Sequence, residues 1–295
     1  MQTYLNFTLQ RVRHMFDYSK FRFLNVLFFT ILSVCHYLSA EIIDIVTFEQ
    51  VNTYLIPEAL IILDIDNTLM EPQQELGSDQ WFYHRIECYK LEGLPKDAAL
   101  DKALSEWTAI QSITKVKAVE PYIPTFVSSL QEDTLTVMGL TTRGLGLATR
   151  TIEQLKTLDI QLAKTAPSKE ETFFTTTQGI LYREGVLFTA GSNKGQALFK
   201  LLDQIEYHPE AIIFVNDKAT HLRDVELACI DKGIPFLGLR YGFLDQKVKN
   251  FRQDLADKQL EHFGHILSNE EAEKLLKAPV EDHSKILLSM LSKHS

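Results

Sequence analysis

The chain has 295 residues, 45% hydrophobic and 23% charged, with 13 Gly and 9 Pro. That length allows one large core with a smaller accessory unit, and the composition excludes a disordered, collagenous or repeat-built protein. A net charge of −9 argues against nucleic acid as a partner and leaves a small substrate or a metal ion.

The first forty residues stand apart. Arg11, Arg13, Lys20 and Arg22 precede an apolar run from Phe23 to about Cys35, and Leu38-Ser39-Ala40 closes it with small residues. Basic region, apolar region and small-residue exit is the order of a secretory leader. It predicts cleavage after Ala40 and a periplasmic or secreted chain with no stable membrane association afterwards. Counted from Met15 rather than Met1, the leader becomes compact. A second reading keeps residues 23–40 as an uncleaved anchor, at the short limit for a membrane span. Beyond the leader only Cys88 and Cys229 remain, too few for a disulfide framework, and both read as buried apolar residues.

Glu41 to Asn52 reads as a short amphipathic lead-in. Ala59 to Leu63 is an apolar run of strand length that ends in Asp64. From Gln73 to about Val119 the apolar residues recur at helical spacing, broken at Gly93 and Pro95, and no strand is evident. Trp81, Phe82, Tyr83 and Trp107 fall here and read as the core of a helical insertion. Pro124 to Leu130 reads as helix, Leu135 to Leu140 as strand, and Gly146 to Leu158 as helix. Two apolar runs around Arg183-Glu184-Gly185 predict a hairpin. A helix from Lys194, a strand at Ala211 to Val215, a helix from Ala219 and a strand at Pro235 to Leu239 complete the pattern. Helices fill much of the tail. Strands alternating with helices predict an α/β fold: a Rossmann-like parallel sheet with helices on both faces, residues 41–72 and 120–295, and a helical insertion, 73–119, after its first strand.

Every polar cluster falls just after the C-terminal end of a predicted strand, the edge where open α/β sheets bind ligands. In order these are Asp64-Ile65-Asp66-Asn67-Thr68, then Thr141, then Lys194 opening a helix, then Asn216-Asp217. Two carboxylates at the mouth of a buried strand cost several kcal/mol each unless something pairs with them. This ordered set resembles the haloacid dehalogenase (HAD) superfamily of phosphotransferases across about residues 59–240. It is similar, together with its leader, to secreted bacterial members of poorly known function.

The resemblance implies an Mg²⁺-dependent phosphatase with a helical cap. Asp64 would be the nucleophile that becomes an aspartyl phosphate, and Asp66 the general acid and base. Thr141 and Lys194 would bind the phosphoryl group. Asp64, the main-chain carbonyl of Asp66, and Asp217 would hold the metal. Thr142, Arg143 and Asn216 are candidates for substrate or outer-shell contacts, Arg143 being read equally as an exposed loop residue. Asn216 stands where many members carry Asp or Gly, and His221 stands where a further acid is usual; His221 and His84 read as structural or solvated. The implied substrate is a phosphorylated small molecule, with a phosphoprotein or a non-catalytic binding role as alternatives.

Overall fold

The computed structural model describes residues 40–176, 178–262 and 267–291, so the leader expectation lies outside the described residues. Its centre is strand β2, Ala59–Leu63, five buried residues with no polar member. A strand that is apolar at every position, not at alternate ones, is covered on both faces. It pairs in parallel with β5 (Thr136–Thr141) on one side and β9 (Ala211–Asn216) on the other. Among the described residues the sheet has eight strands, ordered β1-β10-β9-β2-β5-β8-β7-β6. Here β1 is Glu41–Ile45, β6 Thr172–Thr175, β7 Gly179–Arg183, β8 Val186–Phe188 and β10 Phe236–Tyr241.

The sheet is parallel from β1 to β8, and β7 and β6 join antiparallel at one edge. Glu184 (φ 45°) and Gly185 (φ 78°) make the tight β7–β8 turn in the left-handed region that such two-residue loops require. Two strands of this sheet were not legible. The segment Glu41–Ile45, read as a lead-in, is edge strand β1, and Thr172–Thr175 is strand β6. The insertion therefore follows the second strand of the sheet, not the first.

Helices cover both faces. Ile123, Phe126, Val127 and Leu130 recur at three and four spacing on α3 (Ile123–Glu132), whose first turn carries Pro124. They pack with Ile61, Leu63, Val137, Ile213 and Val215 and with Ile152 and Leu155 of α4 (Ala148–Lys156). Helices α5 (Lys194–Gln204) and α6 (Ala219–Lys232) pack on each other. Gly195 makes that possible, because a Cβ there would collide with the carbonyl of Asp224.

The insertion holds α1 (Asp79–Leu91) and α2 (Lys96–Ile113), separated at Gly93 and Pro95. It is not purely helical: β3 (Met70–Pro72) and β4 (Val116–Ala118) pair antiparallel at its base. Its own core is Ile86, Tyr89, Ala99 and Ala103. Trp81 and Trp107 pack elsewhere, with Leu76, Ile110, Leu147 and Ala256, so they join the insertion to α4's approach and to α7 (Gln253–Glu261). Tyr83 is left 53% exposed.

Candidate active site

Register brings the motifs together. Leu63 is the partner of both Gly139 and Val215, so β2, β5 and β9 end at one edge. Asp64 continues the ladder through its N–H to the Val215 carbonyl (3.0 Å) while its side chain leaves the sheet. The chain then turns back at Asn67 (φ 58°), a left-handed position that Asn tolerates. That turn puts Thr68 Oγ1 3.2 Å from the Asp217 N–H, which it accepts, and Asn67 Nδ2 3.4 Å from Asp217 Oδ2. The first and last motifs are thus tied directly.

Asp64 is 5% exposed and Lys194 1%. Lys194 Nζ donates to Asp64 Oδ1 at 2.6 Å and to the Leu140 carbonyl at 2.9 Å. Helix α5 starts at Lys194 behind an Asn193 cap, whose side chain accepts the Gln196 N–H (3.0 Å). A cation at that end of a helix opposes the helix dipole, and Asp64 offsets the conflict. Thr141 Oγ1 accepts the Arg143 N–H (3.1 Å), which leaves the hydroxyl proton free to be donated. Thr142 is exposed.

Arg143 is not an exposed loop residue. It is 3% exposed, and its guanidinium forks onto Asp66, Nε to Oδ2 at 2.8 Å and Nη2 to Oδ1 at 2.7 Å. Burial raises the Asp66 carboxyl above the usual carboxylate range, against the pull of Arg143, and the charges of Asp79 and Asp64 raise it further. A carboxyl so placed is suited to holding and releasing a proton.

Asn216 Oδ1 accepts the Lys218 N–H (2.7 Å), while its buried Nδ2 has no partner among the described residues. Burial first, and the charge of Asp64 second, push the Asp217 carboxyl up to about 7. Lys218 pairs with Asp79 from the first turn of α1 and sits 5.3 Å from the Tyr83 ring centre. Burial works against the charge of Asp79, but Lys218 holds its carboxyl below the usual range. His221 is driven down to about 3 by burial and by the charges of Lys194 and Lys218, so it stays neutral. Asp79, Lys218 and Gln111 were missed by sequence reasoning. Only Lys218, adjacent to Asp217, carried a signal.

Among the described residues no group of three or more His, Cys, Asp and Glu side chains could hold a metal. The side-chain ligands for Mg²⁺ would therefore be two, Asp64 and Asp217. The Asp66 carboxylate is engaged by Arg143, so Asp66 has only its carbonyl to offer. The set fits a hard cation that keeps several waters. The charges of Lys218 and Lys194 do not offset the burial of Asp217 and its repulsion by Asp64, and the Asn216 Nδ2, unpartnered among the described residues, suits a water carried by such an ion.

A chain from Chlamydia muridarum (strain MoPn / Nigg) named "Putative outer membrane protein" is 30% identical over 217 residues, 74% of this chain and 82% of its own length. One of the same name from Chlamydia trachomatis serovar D is 25% identical over 232 residues, 79% of this chain and 85% of its own. No described helix is long and apolar enough to cross a membrane. Among solved structures, the phospho-aspartyl intermediate analogue of phosphoserine phosphatase is 14% identical, covers 67% of this chain and 100% of its own, and superposes with a TM-score of 0.33. So low a score leaves any functional reading to this chain's own residues. The family described as protein of unknown function (DUF2608) matches residues 44–273, a span that contains every residue of the site just described, and the chain belongs to it.

Proposed function

We propose that the protein is an exported, Mg²⁺-dependent phosphoric monoester hydrolase of the HAD type, working through an aspartyl phosphate on Asp64. The observation that carries this reading is the buried pair of Asp64 and Lys194 at a strand end, with the Asp66 carboxyl two residues on. Asp64 attacks phosphorus and the bond to the ester oxygen breaks. Asp66 donates its proton to that leaving oxygen. Lys194 offsets charge on the phosphoryl oxygens and Thr141 donates its hydroxyl proton to one of them. Asp66, now ionised, takes a proton from water. That water attacks phosphorus, the bond to Asp64 breaks, and inorganic phosphate leaves.

Mg²⁺, held by Asp64, the Asp66 carbonyl and Asp217, would supply the positive charge that lets a carboxylate approach an anionic phosphate. The insertion, in reach of the site through Asp79 and Gln111, would act as a cap that selects small phosphorylated molecules. The leader order and the envelope names of the relatives support export, with a mature chain beginning at Glu41.

Residues 41–295, purified and assayed on a panel of phosphomonoesters with and without Mg²⁺, test the reading. Turnover that needs Mg²⁺ and disappears in Asp64→Asn supports it; near-normal Mg²⁺-dependent turnover in that variant refutes it. In Asp66→Asn, a phosphoenzyme should form from 4-nitrophenyl phosphate and decay slowly, with steady-state turnover down about 10²–10⁴-fold. N-terminal sequencing of protein from the native cell tests export.

A further inference from the structure

We propose that Arg143 is the positioning residue of Asp66, and that Gln111 of the insertion anchors it. The inference rests on the phosphatase reading above. A guanidinium has five N–H donors in a fixed fork, and all five of Arg143's are used. Two go to the two oxygens of Asp66. Nη1 donates to Thr151 Oγ1 at 2.9 Å and to Gln154 Oε1 at 2.8 Å, both on α4. The second Nη2 proton goes to Gln111 Oε1 at 3.2 Å, on α2 of the insertion.

Each anchor is itself held. Thr151 Oγ1 donates to the Leu147 carbonyl (2.8 Å), and Gln154 Nε2 to the Thr114 carbonyl (3.0 Å). Gln111 Nε2 donates to the Gly77 carbonyl (2.6 Å), which Trp107 Nε1 also reaches (3.0 Å). The Trp107 ring lies 5.3 Å from the guanidinium carbon.

Two consequences follow from this saturation. Arg143 has no donor left for a phosphoryl oxygen, so its effect on the reaction runs through Asp66. The torsion that sets a carboxylate's two oxygens is soft, and the fork fixes it. Because one anchor belongs to the insertion, α2 shares with α4 in holding the acid/base in line. A general acid matters most when the leaving group is a poor one. Losing the fork should therefore discriminate between esters, which loss of a purely structural contact would not do.

The full chain, as wild type, Asp66→Asn, Arg143→Met, Arg143→Lys, Gln111→Met and the doubles with Asp66→Asn, should be assayed on 4-nitrophenyl phosphate and on glycerol 2-phosphate with Mg²⁺. Arg143→Met should lower kcat on the alkyl ester at least about tenfold more than on the aryl ester, with KM within about threefold. Gln111→Met should do the same to a smaller degree, and Arg143→Lys should restore part of kcat. In the Asp66→Asn background neither substitution should cost more. Equal losses on both esters, a loss mainly in KM, or losses that multiply with Asp66→Asn would overturn the proposal. Gln111→Met carries the same cycle if Arg143→Met does not fold. An inert wild type would overturn the phosphatase reading and this inference with it; an active wild type with multiplicative losses overturns this inference alone.

Discussion

Lys194 Nζ lies 2.6 Å from Asp64 Oδ1, and both side chains are buried. Removing one partner of a buried ion pair strands the other's charge and typically costs about 3–5 kcal/mol. Lys194→Met is therefore expected to lower the melting temperature and to abolish turnover. The double variant Asp64→Asn/Lys194→Met should be more stable than the sum of the single losses allows, since no charge is left stranded. Chemical denaturation of the four proteins measures the coupling; additive losses would mean the two groups do not interact.

Asp217 gives a metal-linked expectation. Its folded carboxyl sits at about 7, above its ordinary value near 4. Between those limits the folded state binds more protons than the unfolded one, so stability falls as pH rises through that window. Asp217→Asn should thus raise the melting temperature in metal-free buffer at pH 8. Saturating Mg²⁺ should stabilise the wild type, by about 2.7 kcal/mol at a hundredfold excess over Kd, and do little for the variant. Differential scanning calorimetry with and without EDTA reads both effects.

His221 has the opposite sign. Its folded pKa is driven from 6.5 to about 3, so between those values the unfolded chain takes up a proton that the folded one refuses. Stability is lost as pH falls through this range. His221→Gln should flatten the acid limb of the stability profile relative to wild type from pH 6.5 to 4. Parallel profiles would show that His221 is charged in the fold.

Trp81 is fully buried where the insertion meets Leu147 and Ala256. Trp81→Ala is expected to destabilise by about 3–5 kcal/mol through lost burial and the cavity left behind. The same truncation at Tyr83, 53% exposed, should change the melting temperature little. Thermal unfolding of the two variants side by side makes the comparison.

What local chemistry controls was legible in the chain alone. The apolar run Ala59–Leu63, the helix after Asn193 and the turn at Glu184-Gly185 each follow from side-chain period, capping and backbone freedom. The order of polar residues at strand ends put Asp64, Lys194 and Asp217 at one edge, where Lys194 contacts Asp64 and Thr68 contacts Asp217. Strands β1, β3, β4 and β6 were missed because each is short, at an edge or in a two-stranded ribbon. None has a continuous apolar run, and β1, β4 and β6 have mixed burial. Partners were equally out of reach. Arg143 is 77 positions from Asp66, and Lys218 is 139 from Asp79. Which charge meets which depends on how the insertion docks on the sheet, and no local preference encodes that. Strand order and capping put these groups at the sheet edge; that Arg143 turns inward and forks onto Asp66 follows from the packed fold, because a buried guanidinium is stable only where acceptors from separate elements converge on it.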